Sequence, residues 1–154
     1  MMPEILVRLG VLILLSLVLY LMVRAGWRFI EVRRQRVLAA EPLHPVLAGD
    51  SASGASSSSR VCILAFSSAG CPQCHRLQTP ALQRVLEARG PAVAILEVDA
   101  PNSPELTQHY QVLTVPTTVV LDATGRAHAV NYGFATTQRL LEQVDEVLRA
   151  GQPE

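Results

Sequence analysis

The chain has 154 residues, which is enough for one folded domain with an appendage but not for two complete cores. Its formal net charge is zero, and all 13 basic residues are arginine, which excludes lysine-based catalysis. Arginines outnumber acids seven to four before Val61, whereas acids outnumber arginines nine to six from Val61 onward. The mildly acidic second part argues against nucleic acid as a partner of the folded domain.

The N-terminal segment, residues 5–23, is largely apolar and contains one charged side chain, Arg8. A transmembrane helix needs about 20 such residues, and the Arg8 side chain can extend to the membrane interface. A cleaved signal peptide is the alternative, but no small-x-small cleavage site precedes the arginine-rich segment that follows. We therefore expect residues 1–37 to form an uncleaved membrane anchor, in contact with the lipid bilayer through residues 5–23.

The charge around this segment predicts its orientation. Five arginines follow the apolar run, whereas only Arg8 and the chain amine precede it. Because basic flanks tend to stay in the cytoplasm, the bias predicts a single-pass protein of the cell membrane with a cytoplasmic C-terminal domain. An extracytoplasmic domain is the alternative, since proteins with a single anchor often break this rule.

Residues 38–60 differ in composition from the segments on both sides. Pro42 and Pro45 prevent a helix from continuing, and residues 49–59 are small and polar with nothing to bury. This pattern predicts a flexible linker, which leaves residues 61–154 as the folded domain.

The folded domain begins with the stretch that carries the chemistry. An apolar run from Val61 to Phe66 predicts a buried strand, and the following small residues end it just before Cys71. If a helix starts there, its unpaired N–H groups and its dipole stabilise a thiolate, so Cys71 is the predicted nucleophile. Cys74 lies about one turn later, close enough to close a small disulfide ring, and is the predicted resolving thiol. Cys62, inside the strand, is interpreted as a core side chain.

The remaining elements follow in the order helix, strand, helix, two strands and helix. We expect a helix from the Cys71 motif to about Ala88, with a kink or break at Pro80 and five residues on its apolar face, namely Leu77, Ala81, Leu82, Val85 and Leu86. Ala92 to Val98 is apolar enough to be a parallel central strand, buried on both faces.

Three further elements complete the predicted order βαβαββα. Ser103 and Pro104 signal the start of a short helix that runs to about Tyr110. Two β-rich runs joined by a turn predict a hairpin, and spaced apolar residues predict a closing helix; these three elements are Thr117 to Leu121, Ala127 to Tyr132, and a helix from about Thr137.

In this arrangement the sequence resembles the thioredoxin superfamily. The matching pieces are the strand leading into CPQC at a helix start, the stretch VLTVPTTVVLD from Val112 to Asp122, and Gly133 after the hairpin. The resemblance covers about residues 61–149. It implies an α/β thioredoxin-like fold, with a mixed central sheet flanked by helices, preceded here by one transmembrane helix.

The resemblance also implies roles for residues outside the cysteine pair. The Val115 to Pro116 bond would be cis and would face the dithiol, and Thr114, Val115 and Pro116 would bind an extended substrate segment. Pro72 and Gln73 would tune the thiolate and the redox potential, with His75 as a further candidate for thiolate tuning.

The family's proton-transfer groups are replaced in this sequence. The buried acid of thioredoxins falls at Ala65 and its lysine neighbour at Ile95. We therefore expect Cys74 to lose its proton to solvent or to the substrate.

The predicted function is thiol-disulfide exchange between the Cys71/Cys74 pair and partner proteins with thiols or disulfides. No cofactor and no metal are expected, but an external electron donor or acceptor must reset the pair. A redox-sensing or interaction module of the same fold is the main alternative. The string CPQCH also matches the c-type haem attachment signature, a weaker hypothesis because haem attachment requires export and a haem pocket.

Overall fold

The structure is a computed structural model that describes residues 2–39 and 61–151. The chain divides between Gln35 and Arg36 into two compact units. From residue 40 onward, the predicted linker lies outside the described residues.

The N-terminal unit consists of helix α1, Met2–Leu38, except for the last three residues of the helix, which belong to the second unit. Its segment Gly10–Leu38 contains an 18-residue window with a mean hydropathy of 2.0 and is long and apolar enough to cross a membrane. The apolar side chains along it are exposed, Leu14 at 60% and Leu19 at 65%. By length and composition, this helix could be a membrane span.

A mixed four-stranded sheet forms the centre of the second unit. Its strands are β1 (Val61–Ser67), β2 (Val93–Asp99), β3 (Thr117–Asp122) and β4 (Ala127–Tyr132). They are ordered β2-β1-β3-β4, with β1 parallel to β2 and antiparallel to β3, and with β3 antiparallel to β4.

The helices lie in the predicted order between these strands. A π-helical turn, Cys74–Gln78, leads into α2 (Thr79–Arg89); α3 (Pro104–His109) follows β2, and α4 (Thr137–Ala150) closes the chain. Short 3₁₀ turns, Gly90–Ala92 and Ala100–Asn102, flank β2. The predicted order βαβαββα is confirmed.

Strand β1 supplies side chains to two hydrophobic clusters because its residues alternate between the two faces of the sheet. Val61, Ile63 and Ala65 join a cluster that includes buried residues of α2 and α4. Leu64 and Phe66 join a second cluster that includes Tyr110. Each large side chain buried in this way contributes roughly 1.5–3 kcal/mol, so the end of β1 is a rigid support for Cys71.

The prediction that the second strand is central is wrong. Strand β2 pairs in parallel with β1, as expected, but it lies at the edge of the sheet. Val93 packs in one hydrophobic cluster and Val98 in the other. The apolar pattern arises because both faces of the strand are covered, and covered faces do not require two neighbouring strands.

The apolar face predicted for the first helix of the domain is only partly buried. Ala81, Leu82 and Val85 are in the core, whereas Leu77 and Leu86 remain 46% and 44% exposed. The π turn accounts for Leu77, because its extra residue interrupts the α-helical spacing before Thr79, so that Cys74 and Gln78 are buried there and Leu77 is not. Pro80 lies in the first turn of α2, where its missing N–H costs little.

Candidate active site

Cys71 lies where β1 gives way to helical backbone. A turn after β1 is closed by the Cys71 N–H, which donates to the Ser68 carbonyl at 3.1 Å, and Pro72 and Gln73 are already helical. The strand fixes the position of the cysteine, and the turn sets its sulfur at the N-terminus of the helical segment.

Cys71 and Cys74 form a disulfide, with their Cα atoms 5.3 Å apart. The Cys74 N–H also donates to the Cys71 sulfur at 3.1 Å. An N-terminal helical N–H has no carbonyl partner within the helix, so this sulfur takes the place of a capping oxygen. On reduction, such a hydrogen bond together with the helix dipole favours the thiolate of Cys71 over its thiol.

The segment predicted to bind substrate is next to the disulfide. The Val115 to Pro116 peptide bond is cis, as the resemblance implies. Pro116 and Cys74 line the same small cavity of about 40 Å³. Thr114 is exposed and Val115 half-buried, so both are within reach of a partner chain.

Hydrogen bonds hold this segment in place. The Gly133 N–H donates to the Pro116 carbonyl at 2.9 Å, and the Thr117 hydroxyl donates to the Thr114 carbonyl at 2.7 Å. Gly133 has a φ of 86°, a left-handed conformation that favours glycine. The glycine named in the resemblance therefore connects the end of β4 to the proline beside the disulfide.

The three candidates for thiolate tuning are exposed on the surface. Pro72 and Gln73 are exposed within the motif. His75 is exposed too, lines the small cavity with Cys74, and donates its backbone N–H to the Cys71 carbonyl at 3.4 Å. Their position beside the disulfide is established, whereas their effect on the thiolate remains a prediction.

Two residues of the site were not predicted from the sequence. Glu97 lines the small cavity with Cys74. It lies two positions after Ile95 in β2, on the same face of the strand. The signal was available, because parallel pairing places Glu97 opposite Ala65, the position of the family's acid. Gln78 is buried and hydrogen-bonded at both ends of its amide to the backbone of Ala135. Nothing in the sequence indicated that contact.

The third cysteine is separate from the pair. Cys62 is a free thiol near the start of β1, and its side chain packs against the cluster on the opposite face from Ala65. Burial raises the pKa of the Cys62 thiol to about 11. This thiol is therefore a weak nucleophile at neutral pH, in agreement with its interpretation as a core side chain.

Metal ligands do not cluster in the part of the chain that the structure describes. Within residues 2–39 and 61–151, no group of three or more His, Cys, Asp or Glu could hold a metal ion. His128 instead contacts Asp122 at 3.0 Å, and His109 lies edge-on to Tyr110 with ring centroids 4.7 Å apart.

Comparison with known proteins gives a consistent result. The family model named Thioredoxin matches residues 52–146. Three solved structures illustrate the likeness. Chloroplastic thioredoxin z is 24% identical and covers 62% of this chain and 83% of its own, with a TM-score of 0.53. Thioredoxin-2, a component of the malaria parasite protein secretion machinery, is 21% identical and covers 56% and 82%, with a TM-score of 0.52. A mutant thioredoxin from Halobacterium salinarum NRC-1 is 22% identical and covers 60% and 79%, with a TM-score of 0.52.

At these identities the structural likeness shows the fold alone. No curated protein sequence matches the chain. The family model, however, spans more than half of the 154 residues. With a thioredoxin-like fold and a disulfide-forming Cys71/Cys74 pair that supports a thiol-disulfide redox role, the chain belongs to the thioredoxin family.

Proposed function

We propose that the protein is a membrane-tethered oxidoreductase that exchanges the Cys71/Cys74 disulfide with partner proteins. The observation that carries this proposal is the hydrogen bond from the Cys74 N–H to the Cys71 sulfur, at 3.1 Å, within a disulfide at the start of a helix. A disulfide with a purely structural role needs no donor directed at one of its sulfur atoms. Here the donor favours the ionised sulfur that a nucleophile requires.

The reaction proceeds through a mixed disulfide. The Cys71 thiolate attacks one sulfur of a partner disulfide, the partner's S–S bond breaks, and the released sulfur takes up a proton. Cys74 then loses its proton and attacks the Cys71 sulfur, which releases the second partner thiol and forms the Cys71–Cys74 bond. Two electrons and two protons pass to the partner, and the reverse sequence oxidises a partner dithiol. An external electron donor or acceptor returns the pair to its starting state.

The loop before β3 is proposed to hold the partner during this exchange. Thr114 is exposed, Val115 half-buried, and Pro116 lies at the cavity that Cys74 also lines. An extended partner segment can form hydrogen bonds with the backbone of Val115, which brings its sulfur next to Cys71.

Helix α1 is proposed to tether the domain to the cell membrane, with residues 5–23 in the bilayer. Its length and the mean hydropathy of 2.0 over an 18-residue window support a span. The arginines after the apolar run favour a cytoplasmic domain. We further propose residues 1–37 as anchor, residues 38–60 as linker and residues 61–154 as the redox domain.

Trapping of the mixed disulfide tests the exchange reaction. In the variant Cys74→Ser the second step is blocked, so partners should accumulate on Cys71 as adducts that resist non-reducing electrophoresis and disappear with reductant. Cys71→Ser is the matched control and should trap none. Adducts that form equally well in both variants, or in neither, would contradict the proposed mechanism.

Turnover separates an enzyme from a redox-sensing module. With dithiothreitol as electron donor, the full chain should reduce insulin disulfides in many cycles, since Cys74 regenerates Cys71 after each exchange. A module that only senses oxidation would change its own redox state once and leave the rate of insulin precipitation at the level of dithiothreitol alone.

A further inference from the structure

A second, larger groove lies beside the π turn, between the start of α2 and the loop that precedes α4. Its volume is about 420 Å³. Arg76, Leu77, Pro80, Arg84 and Phe134 are among its lining residues, and we call it the arginine groove. The residues predicted to bind substrate, Thr114 to Pro116, do not line it.

The π turn separates this groove from the small cavity at the disulfide. Cys74 and Gln78 face the small cavity, whereas Arg76 and Leu77 line the arginine groove. Arg76 is two positions after Cys74, so the groove begins within one turn of the disulfide.

The apolar part of the groove consists of side chains that the fold leaves uncovered. Leu77 is 46% and Phe134 42% exposed. Pro80 lies between Arg76 and Arg84 in the sequence and adds a rigid apolar surface. Large apolar side chains grouped in a groove are typical of surfaces that bind a partner.

The charged part of the groove is cationic. Arg76 and Arg84 line it, and no acidic residue does. Among the residues that the structure describes, neither arginine takes part in an ion pair, in contrast to Arg89, which pairs with Asp145 at 2.7 Å. Their charge is available to a partner, and it is complementary to carboxylates.

Gln78 connects the groove to the disulfide. Its side-chain oxygen accepts from the Ala135 N–H at 2.9 Å, and its Nε2 donates to the Ala135 carbonyl at 3.4 Å. These buried bonds join the turn that begins at Cys74 to the loop that carries Phe134. The two walls of the groove are thus fixed relative to the reacting sulfur.

We propose that the arginine groove binds an acidic segment of the partner protein, one in which an apolar side chain accompanies two carboxylates near the reactive cysteine. This inference rests on the proposed function and adds the class of partner. Arg76 and Arg84 are eight positions apart, about 12 Å along a helix, which an extended chain covers in roughly four residues. The two acidic residues of the partner are therefore expected three to four positions apart. The apolar residue between them is expected to pack against Leu77 and Phe134.

Binding of short fluorescent peptides to the full chain in a non-ionic detergent tests the proposal. The probe peptide has a leucine between two glutamates. Serine replaces its cysteine, so that disulfide exchange does not contribute to binding. In one comparison peptide lysines replace the glutamates, and in another serine replaces the leucine. By fluorescence anisotropy the glutamate peptide should bind at least about tenfold more tightly than the lysine peptide, and high salt should reduce the difference.

Charge reversal locates the binding site. The double variant Arg76→Glu with Arg84→Glu should lose about tenfold in affinity for the glutamate peptide. The control double variant, Arg126→Glu with Arg149→Glu, changes the net charge by the same amount outside the groove. It should lose little affinity for the glutamate peptide. Phe134→Ala should weaken binding of the glutamate peptide that contains leucine more than binding of the one that contains serine.

Three outcomes would overturn the groove proposal: equal affinity for glutamate and lysine peptides, equal losses in the two double variants, or a dimer of the chain that disappears on reversal of Arg76 and Arg84 while no peptide binds. Reduction of a small aromatic disulfide by the same variants reports on the exchange reaction separately. That rate should be unchanged within about twofold in the double variant outside the groove, Arg126→Glu with Arg149→Glu. If the native chain does not reduce the small disulfide, the result counts against the proposed function. The groove proposal is tested by peptide binding alone.

Discussion

The contact between the Cys74 N–H and the Cys71 sulfur shows how a backbone group can distinguish two otherwise similar cysteines. Cys71 comes first in the motif and accepts this hydrogen bond, at 3.1 Å. Cys74 supplies the donor through its backbone and is 3% exposed, against 7% for Cys71. Cys71 is therefore set up to be ionised and to attack the partner, and Cys74 to act afterwards on the mixed disulfide.

Cys62 provides a test at the scale of a single residue. Because burial raises its pKa to about 11, only about one molecule in a thousand has this thiol ionised at pH 8. In the reduced native chain, a thiol reagent should modify Cys71 quickly and Cys62 much more slowly, and denaturant should make all three cysteines react quickly.

The variant Cys62→Ala serves as the control for this experiment. It should keep the fast phase of Cys71 and lose one slowly reacting thiol, because Cys71 and Cys74 are unchanged. Three fast thiols in the native chain would show that Cys62 is accessible and is not a core residue.

At the scale of elements, the π turn between Cys74 and Gln78 has two consequences. It separates the disulfide from α2 by one widened turn, and it rotates Leu77 out of the core and into the arginine groove. The Thr79 hydroxyl donates to the Cys74 carbonyl at 3.1 Å, which stabilises the wide turn locally. Helical periodicity assumes a constant number of residues per turn, so it placed Leu77 on the wrong face.

The hairpin turn between β3 and β4 depends on one carboxylate. Partial burial favours the neutral form of Asp122, but hydrogen bonds from Thr124, from His128 and from the Arg126 N–H outweigh this and leave its pKa below the ordinary value. Since the pKa is lower in the folded state, Asp122 stabilises the fold above the unfolded pKa of about 3.9. That contribution is lost as the pH falls through the lower, folded value.

The variant Asp122→Asn tests this dependence. At neutral pH it should unfold at lower urea concentration, with a loss of about 1 kcal/mol, because the carboxylate is partly exposed and its bonds are screened by solvent. The difference from the native chain should shrink as the pH falls below about 4. Glu146→Gln, an exposed substitution in α4, is the control; a pH-independent difference for Asp122→Asn would contradict the role of its charge.

At the scale of the whole molecule, a redox domain is combined with a long apolar helix. Removal of residues 1–35 is expected to move the protein from the membrane pellet to the soluble fraction, since the apolar run would no longer be present. The intact chain should stay in the pellet after alkaline carbonate extraction, with its full mass. A smaller soluble product of the intact chain would instead indicate a cleaved signal sequence.

The sequence by itself determined the order of elements and the cysteine pair, because these depend on local patterns. Apolar runs, turn residues and caps specify strands and helices over short distances, and C-x-x-C at a strand-to-helix junction places two sulfurs within reach of each other. The resemblance added Pro116, more than 40 positions away from the cysteines, which local spacing could not have connected to them.

Only the tertiary structure decided the features that depend on pairing and packing between distant residues. The edge position of β2 depends on which strands pair, and apolar composition does not record that. Gln78 meets Ala135, 57 positions later, and Glu97 joins the cavity at Cys74 through the register of β1 and β2. The arginine groove combines α2 with the loop before α4. Each of these contacts arises because the sheet brings its strands together, so their partners become evident only once the chain has folded.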